Sequence, residues 1–202
     1  MHFADRSVGW AVADGGYITH TTDGGKNWEL QDSGTKNDLT GVFALNAKQV
    51  WVVGKYGIIL HTSDGGGRRV MQSGKTPSNP LHGIALSPEG KGFAVGERGM
   101  IIHTEDGGKT WEEQVSGVVG GLNALDSFDG QKAWAVGDAG NILHTSDSGK
   151  TWKLQKGDDW YGLHDVQFLN SKVGWAIGEI GGIFYTRDGG KHWEQQRGLF
   201  WE

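Results

Sequence analysis

The chain has 202 residues, a formal net charge of −5, 36 glycines, 10 tryptophans and no cysteine. The absence of cysteine excludes disulfides and thiolate metal sites, and the negative charge argues against a nucleic acid partner, which would need a broad positive field. The sequence has no run of about 18 apolar residues, so it predicts no membrane-spanning helix. Residues 1–20 also lack the apolar segment that a signal peptide would need.

Five repeats follow one another along the chain, at about residues 1–38, 39–80, 81–121, 122–162 and 163–202. They share two markers, the pattern Thr-x-Asp-x-Gly and an upstream aromatic residue, each of which recurs every 41 or 42 residues. A fixed period of about 40 residues is typical of a propeller or a solenoid. The aspartates are Asp23, Asp64, Asp106, Asp147 and Asp188, and the aromatic residues are Trp10, Trp51, Phe93, Trp134 and Trp175.

The fourth repeat shows how each unit is predicted to fold. Its short apolar or alternating runs at 122–128, 133–136, 141–145 and 150–155 are bounded by glycine or aspartate, which favours antiparallel strands over helices. Four strands in about 41 residues are typical of one propeller blade. The sequence therefore predicts an all-β fold, a β-propeller of five four-stranded antiparallel blades in a single domain at 1–202. Three alternatives remain: a closed five-bladed ring, a part of a longer propeller, and an engineered repeat scaffold. The closed ring would favour a monomer.

The Thr-x-Asp-x-Gly segments resemble the Asp-box, also called the BNR repeat. Residues 104–111 have the sequence Thr-Glu-Asp-Gly-Gly-Lys-Thr-Trp, whereas the copy at 62–69 lacks the lysine and the tryptophan. The remaining copies keep both residues and lie at 21–28, 145–152 and 186–193. With the Gly-Trp-Ala-Ile-Gly segment at 174–178 and the Ile-Leu-His-Thr segment at 142–145, the chain is most similar to the photosystem II stability/assembly factor-like group of Asp-box propellers.

This resemblance implies a non-enzymatic binding or assembly-factor-like module that recognises a protein partner during assembly of a membrane complex. It also implies a periplasmic, lumenal or secreted location. Because Asp-boxes also occur in sialidases, some endoglucanases and sorting receptors, a glycan-binding lectin and, less favoured, a glycoside hydrolase remain alternatives, as does a scaffold without a ligand. A sialidase-like site would need three converging arginines, and only Arg98 and Arg197 lie near the loops expected around the axis.

Residues that recur in the repeats are interpreted as scaffold, because a catalytic residue is rarely needed five times. Each box aspartate would accept N–H groups of its own turn, the glycines would permit positive φ, and the tryptophan would cover the hairpin. His20, His61, His103 and His144 share one repeat position, so they should lie one blade apart and cannot converge on one zinc ion. We therefore predict structural roles for the box aspartates, no catalytic residue, no metal site and no cofactor.

Candidate ligand-binding residues are those that break the repeat or surround the axis. The loop at 157–161 and the equivalent segment at 198–202 combine acids with aromatic side chains, which suit a sugar ring or a peptide side chain. The residue after the first leucine of a blade is polar and should approach the axis. The candidates are Trp160, Tyr161, Asp158, Asp159 and Trp201 in these loops, Tyr56 and Arg98 between second and third strands, and His82, Asn123 and His164 near the axis.

Overall fold

A computed structural model describes residues 1–72, 78–157 and 161–196 of the chain. These residues form five four-stranded antiparallel sheets, and the order of strands in each sheet is the order in the sequence. The predicted all-β architecture of five four-stranded blades is therefore confirmed. Within the described residues, no helix is long and apolar enough to cross a membrane.

Each blade runs from a first strand near the axis to a short fourth strand at the outside, and the first strands of neighbouring blades contact one another. Blade 1 contains β1 (His2–Phe3), β2 (Gly9–Val12), β3 (Ile18–Thr21) and β4 (Glu29–Gln31); blade 2 contains β5 (Leu39–Ala44), β6 (Val50–Gly54), β7 (Ile59–Thr62) and β8 (Val70–Met71); blade 3 contains β9 (Leu81–Leu86), β10 (Gly92–Gly96), β11 (Ile101–Thr104) and β12 (Glu112–Gln114); blade 4 contains β13 (Leu122–Ser127), β14 (Ala133–Gly137), β15 (Ile142–Thr145) and β16 (Lys153–Lys156); blade 5 contains β17 (Leu163–Phe168), β18 (Gly174–Gly178), β19 (Ile183–Thr186) and β20 (Glu194–Gln196).

The repeated histidines stack on the repeated aromatic residues of their own blades. Trp51 in β6 lies opposite His61 in β7, and the two ring centroids are 4.4 Å apart. The Trp134–His144 pair repeats this arrangement in blade 4 at 4.8 Å. Burial lowers the pKa of His61 and of His144, because the charged imidazolium loses water there. Within the described residues, no group of three His, Cys, Asp or Glu side chains could hold a metal ion.

Neighbouring blades pack through two different faces, which we name here. The aromatic face of a blade carries its second-strand aromatic residue, for example Trp134, and the reverse face carries the side chains that alternate with it, for example Ala135. The aromatic face of blade 4 packs on Val166, Phe168 and Ala176 of blade 5. Three further clusters join blades 1 and 2, 2 and 3, and 3 and 4 in the same way. The hydrophobic core is therefore a series of layers between blades.

The Asp-box is a hydrogen-bonded turn at the outer end of each third strand. In blade 4, Asp147 accepts a bond from the Thr151 backbone N–H at 2.9 Å and one from the Thr151 hydroxyl at 2.7 Å. The Thr145 hydroxyl accepts a bond from the Gly149 N–H. The two bonds from Thr151 are the main reason why the pKa of Asp147 is lowered to about 2. The other boxes contain the same bonds between threonine, aspartate and the turn, so the predicted structural role of the aspartates is consistent with the geometry.

The aromatic face of blade 5 is not covered by another blade within the described residues, and the sheets are not closed into a ring. Ile177 is 46% exposed, whereas the equivalent Val136 of blade 4 is fully buried. Among the described residues, no blade covers the reverse face of blade 1 either, and Tyr17 on this face is 58% exposed. The closed ring was one of the alternatives that the sequence left open, and the described residues leave an open seam between these two faces.

Candidate binding face

A short 3₁₀ turn joins the second and third strands in every blade. These turns span Asp14–Gly16, Lys55–Gly57, Glu97–Gly99, Asp138–Gly140 and Glu179–Gly181. The central residue of each has a left-handed backbone, with φ of 72° at Gly15, 59° at Tyr56, 58° at Arg98, 54° at Ala139 and 53° at Ile180. Because the turns are equivalent in the repeat, they lie on one face of the propeller, which we call the turn face.

Left-handed backbone is costly for residues with a Cβ, by roughly 1–2 kcal/mol per residue. Blade 1 avoids this cost with Gly15, but the other four blades accept it. The cost is most unusual at Ile180, because a β-branched residue with positive φ is a genuine outlier. Strained residues of this kind are concentrated at functional sites, where the surrounding structure holds a side chain in place.

The side chains at these positions point into solvent and differ from blade to blade. Tyr56 is 69% exposed and Ile180 is 67% exposed, and Arg98 is also exposed. A tyrosine, an arginine and an isoleucine on one face provide an aromatic ring, a guanidinium and an aliphatic surface. Tyrosine and arginine are enriched among the residues that dominate binding energy at protein interfaces.

Acidic side chains hold the neighbouring loops in place. Asp138 accepts a hydrogen bond from the Gly121 N–H at 2.7 Å, and Glu179 accepts one from the Gly162 N–H at 3.2 Å. Asp38 accepts bonds from the Gly15 N–H and from the Lys55 ammonium, and the bond from Lys55 is the main reason why the pKa of Asp38 is lowered. Several acids of the turn face therefore already have partners, and the loops that surround the turns are anchored before any ligand binds.

The predicted polar residues surround the axis, as expected. His82, Asn123, His164 and Thr40 line a cavity of about 580 Å³ on the axis, and the first strands of all five blades form its wall. The Asn123 amide donates to the Leu163 carbonyl at 2.8 Å and thereby joins blades 4 and 5, and the Thr40 hydroxyl donates in the same way to Leu81. His82 is partly buried and His164 is exposed in this cavity. Asn123 therefore has a structural partner, while His82 and His164 remain candidate ligand contacts.

A buried carboxyl group also borders the axial cavity. Asp126 accepts a hydrogen bond from the Phe168 N–H of the next blade at 2.6 Å. Burial raises the pKa of Asp126, because the charged carboxylate loses water. His2 occupies the equivalent position in blade 1, where its ring accepts a bond from the Ala44 N–H. Both hydrogen bonds join a blade to the next one, which indicates a structural role for Asp126 and for His2.

The loop candidates are described in part. Tyr161 is 50% exposed and, with Ile180 and Phe184, lines a small pocket of about 70 Å³ beside the last turn. Asp158, Asp159, Trp160 and Trp201 lie outside the described residues. The structure thus brings Tyr161 close to the turn face, where Tyr56 and Arg98 also lie in equivalent turns.

Sequence reasoning overlooked Ile180, which shares a pocket with Tyr161 and is as exposed as Tyr56. One signal could have identified it. Each residue at this position comes directly before a repeated glycine, namely Gly57, Gly99, Gly140 or Gly181, and blade 1 has Gly15 itself there. A glycine in one copy of a repeat indicates that the position requires positive φ in all of them.

Comparison with known proteins supports the family resemblance. The family model described as photosynthesis system II assembly factor YCF48 matches residues 1–126 and, in an overlapping match, residues 79–159. A structure of "YCF48 bound to D1 peptide" is 23% identical, with a TM-score of 0.53, and the match covers 96% of this chain and 78% of that chain. No curated protein significantly matches the sequence.

Two further solved structures share the fold. "YCF48 from Cyanidioschyzon merolae" is 19% identical, with a TM-score of 0.61, and the match covers 96% of this chain and 83% of that chain. "Crystal structure of AFV00434, an ancestral GH74 enzyme" is 15% identical, with a TM-score of 0.76, and covers 96% of this chain but only 30% of that chain. At these identities, the likeness shows the fold alone.

Proposed function

The chain belongs to the photosynthesis system II assembly factor YCF48 family, and on that premise we propose that it is a non-enzymatic propeller that binds a protein segment through its turn face. The observation that carries the proposal is the set of exposed side chains held at strained, left-handed positions, Tyr56, Arg98 and Ile180. A purely structural turn would gain stability from glycine at each of them.

The partner that we propose is an extended peptide from a photosystem II subunit. One structurally similar protein is described as "YCF48 bound to D1 peptide", which supports a peptide as the partner. On the present chain, the aromatic ring of Tyr56 would pack on apolar groups of the peptide, and the Arg98 guanidinium would pair with a carboxylate or a carbonyl. The anchored loops beside the turns would keep the cost of ordering this surface low.

The test is titration of D1 peptide into the wild-type protein and into three glycine variants, followed by calorimetry. Tyr56→Gly and Arg98→Gly remove a proposed contact, whereas Ala139→Gly relieves the same backbone strain and removes only a methyl group. All three variants should gain about 0.5–1 kcal/mol of stability, because the cost of the left-handed backbone exceeds the entropy cost of glycine. We expect Tyr56→Gly and Arg98→Gly to weaken binding about tenfold or more and Ala139→Gly to leave it unchanged.

Two results would overturn the proposal. One is the absence of D1 peptide binding by a folded wild-type protein, and the other is binding that all three variants retain. A glycan array performed on the same protein tests the alternative, because saturable glycan binding without peptide binding would favour a lectin. Loss of stability in the glycine variants would instead show that the turn side chains make structural contacts.

A further inference from the structure

The loop that follows the outer strand of blade 3 exposes two valines. Val115 is 88% exposed and Val119 is 93% exposed, more than any other large hydrophobic side chain among the described residues. Val118 is partly buried and packs on the core cluster between blades 3 and 4. We call residues 115–121 the valine loop. Its partly buried valine attaches the loop to the core, whereas the two exposed valines contribute little to folding.

The equivalent loop of blade 1 has the same local structure but carries charges at the two exposed positions. In both loops a serine hydroxyl donates to the carbonyl two residues further on, at 3.1 Å from Ser33 and at 3.3 Å from Ser116. In blade 1, Asp32 and Lys36 occupy the positions of the exposed valines, and both are exposed as well. The loop therefore forms without apolar residues there. Because water disfavours apolar side chains, the two valines indicate a role other than folding.

Two turns of the turn face hold the valine loop from opposite sides. On one side, the Val118 carbonyl lies so close to Gly99 that a Cβ at that glycine would overlap it. On the other side, the Gly121 N–H donates to the Asp138 carboxylate at 2.7 Å, and the Asp138 N–H donates back to the Gly121 carbonyl at 2.9 Å. Val119 therefore lies between the turns of blades 3 and 4, and the backbone on both sides of it is anchored.

Arg98 places a positive charge beside this apolar surface. It comes directly before Gly99, so the contact between Gly99 and the valine loop keeps the Cα atoms of Arg98 and Val119 within about 10 Å of each other. Arg98 is exposed, and among the described residues no carboxylate pairs with its guanidinium. A guanidinium in this situation can bind a carboxylate of a partner, and such charge-assisted hydrogen bonds are the strong ones.

Two acids next to the same surface restrict the charge of a ligand. Glu97 precedes Arg98 in its turn, and Asp138 lies on the other side of the valine loop. A peptide with several acidic residues would be repelled by these carboxylates, whereas one acidic residue can pair with Arg98 alone. The surface therefore fits one acidic side chain with an aliphatic side chain beside it.

We propose that the valine loop and Arg98 form one subsite, which selects a peptide segment with a branched aliphatic residue near a single acidic residue. This inference rests on the proposed function of the turn face and adds the kind of sequence that the face recognises. Val119 would cover the aliphatic side chain, and the Arg98 guanidinium would bind the carboxylate. Because each residue of an extended peptide spans about 3.3 Å, and the Arg98 side chain adds its own reach, the two recognised residues should lie within about five positions of each other.

The first test is an array of short overlapping peptides that cover the D1 protein, the proposed partner, probed with the wild type and two threonine variants. Val119→Thr keeps a β-branched side chain and replaces a methyl group by a hydroxyl. Val70→Thr is the matched control, because Val70 is 52% exposed on the outer strand of blade 2, next to the Asp-box and away from the turn face. We expect Val119→Thr to bind the selected peptides about fivefold more weakly and Val70→Thr to bind them like the wild type.

The second test is a double-mutant cycle, measured by calorimetry with a peptide that the array selects. In this peptide the aliphatic residue is changed to alanine and, separately, the acidic residue to its amide. Each change should weaken binding to the wild type about fivefold or more. The alanine change should have little further effect on Val119→Thr, and the amide change should have little further effect on Arg98→Gln, because each pair of groups is in direct contact.

The outcomes distinguish a failure of this inference from a failure of the proposed function. No peptide binding by the folded wild type would overturn both. Peptide binding that Tyr56→Gly or Arg98→Gly weakens but Val119→Thr leaves unchanged would support the turn face and overturn the valine-loop subsite alone. Additive effects in the cycle, or recognised residues more than about five positions apart, would also overturn the subsite. Thermal melts verify that each variant is folded.

Discussion

Blades 4 and 5 have nearly the same second strand but place it in different surroundings. Trp134 of blade 4 is 1% exposed, stacks on Phe168 with ring centroids 3.7 Å apart and donates its indole N–H to the Gly189 carbonyl of blade 5. Trp175 of blade 5 stays partly exposed and has no equivalent neighbour in the described residues. The contribution of an aromatic face to stability thus depends on the blade that covers it, because burial and stacking require a second surface.

The largest expected effect is a difference in lost stability between alanine variants of the two tryptophans. Trp134→Ala should lower the free energy of unfolding by about 3–5 kcal/mol, because it opens a cavity between two blades. Trp175→Ala should cost less than about half of that, because part of its ring is already in water. Urea denaturation of both variants measures the difference. Equal losses at dilute protein concentration would show that Trp175 is covered in solution.

A smaller difference in stability is expected between alanine variants of two equivalent glutamines. Gln155→Ala removes the donor to Gly189 and the acceptor of Trp193, and should cost about 1–2 kcal/mol. Gln196→Ala, at the equivalent position of blade 5, should change the stability of the monomer by less than about 0.5 kcal/mol, as exposed substitutions usually do. Thermal melts at low protein concentration compare the two variants. A large loss for Gln196→Ala in the monomer would indicate a partner within its own chain.

The smallest difference between blades is expected in the Asp-boxes, because their bonds are local. Hydrogen bonds from Asn27 lower the pKa of Asp23 in blade 1 to about 2, and those from Thr151 lower the pKa of Asp147 in blade 4 to about 2. A folded-state pKa below the unfolded value of about 3.9 contributes stability above that pH, and this contribution is lost as the pH falls towards 2.

Acid unfolding curves of Asp23→Asn and Asp147→Asn test this expectation. Each variant should be less stable than the wild type at neutral pH, and the deficit should shrink between about pH 4 and pH 2. The two curves should resemble each other, although one box borders the open seam and the other lies inside the row of blades. A deficit that persists unchanged at pH 2 would show that the aspartates act by packing rather than by charge.

Much of the fold was predictable because its signals are local. The predicted second strand of the fourth repeat at 133–136 lies within the observed Ala133–Gly137, and the first at 122–128 is observed as Leu122–Ser127. The fourth strand was placed too early, at 150–155 instead of Lys153–Lys156, because 150–152 belong to the box turn. The 3₁₀ turns were not predicted, since four of the five central residues are not glycine and the single glycine among them, Gly15, was the one sequence signal of their positive φ.

The residues of the candidate site also fall into those that the sequence identified and those that it did not. Tyr56, Arg98 and Tyr161 were identifiable from the sequence as residues that break a repeat, and all three are exposed. The pairing of Asn123 with the next blade could not be predicted, because it depends on a carbonyl 40 residues further along the chain. Ile180 was overlooked although Gly15 marks its position in the repeat, and the structure was needed to show that its side chain is exposed.

The sequence by itself determined the blade, since a repeated pattern of short apolar runs, glycines and Asp-boxes specifies strands and turns through interactions within about 40 residues. It could not determine how the ends of the row of blades meet, because Trp175 and Ile177 have the same pattern as their buried equivalents. Only the tertiary structure decided that, among the described residues, no other blade lies against the aromatic face of blade 5 or the reverse face of blade 1. Burial is a property of the neighbouring surface, and that neighbour lies far away in the sequence.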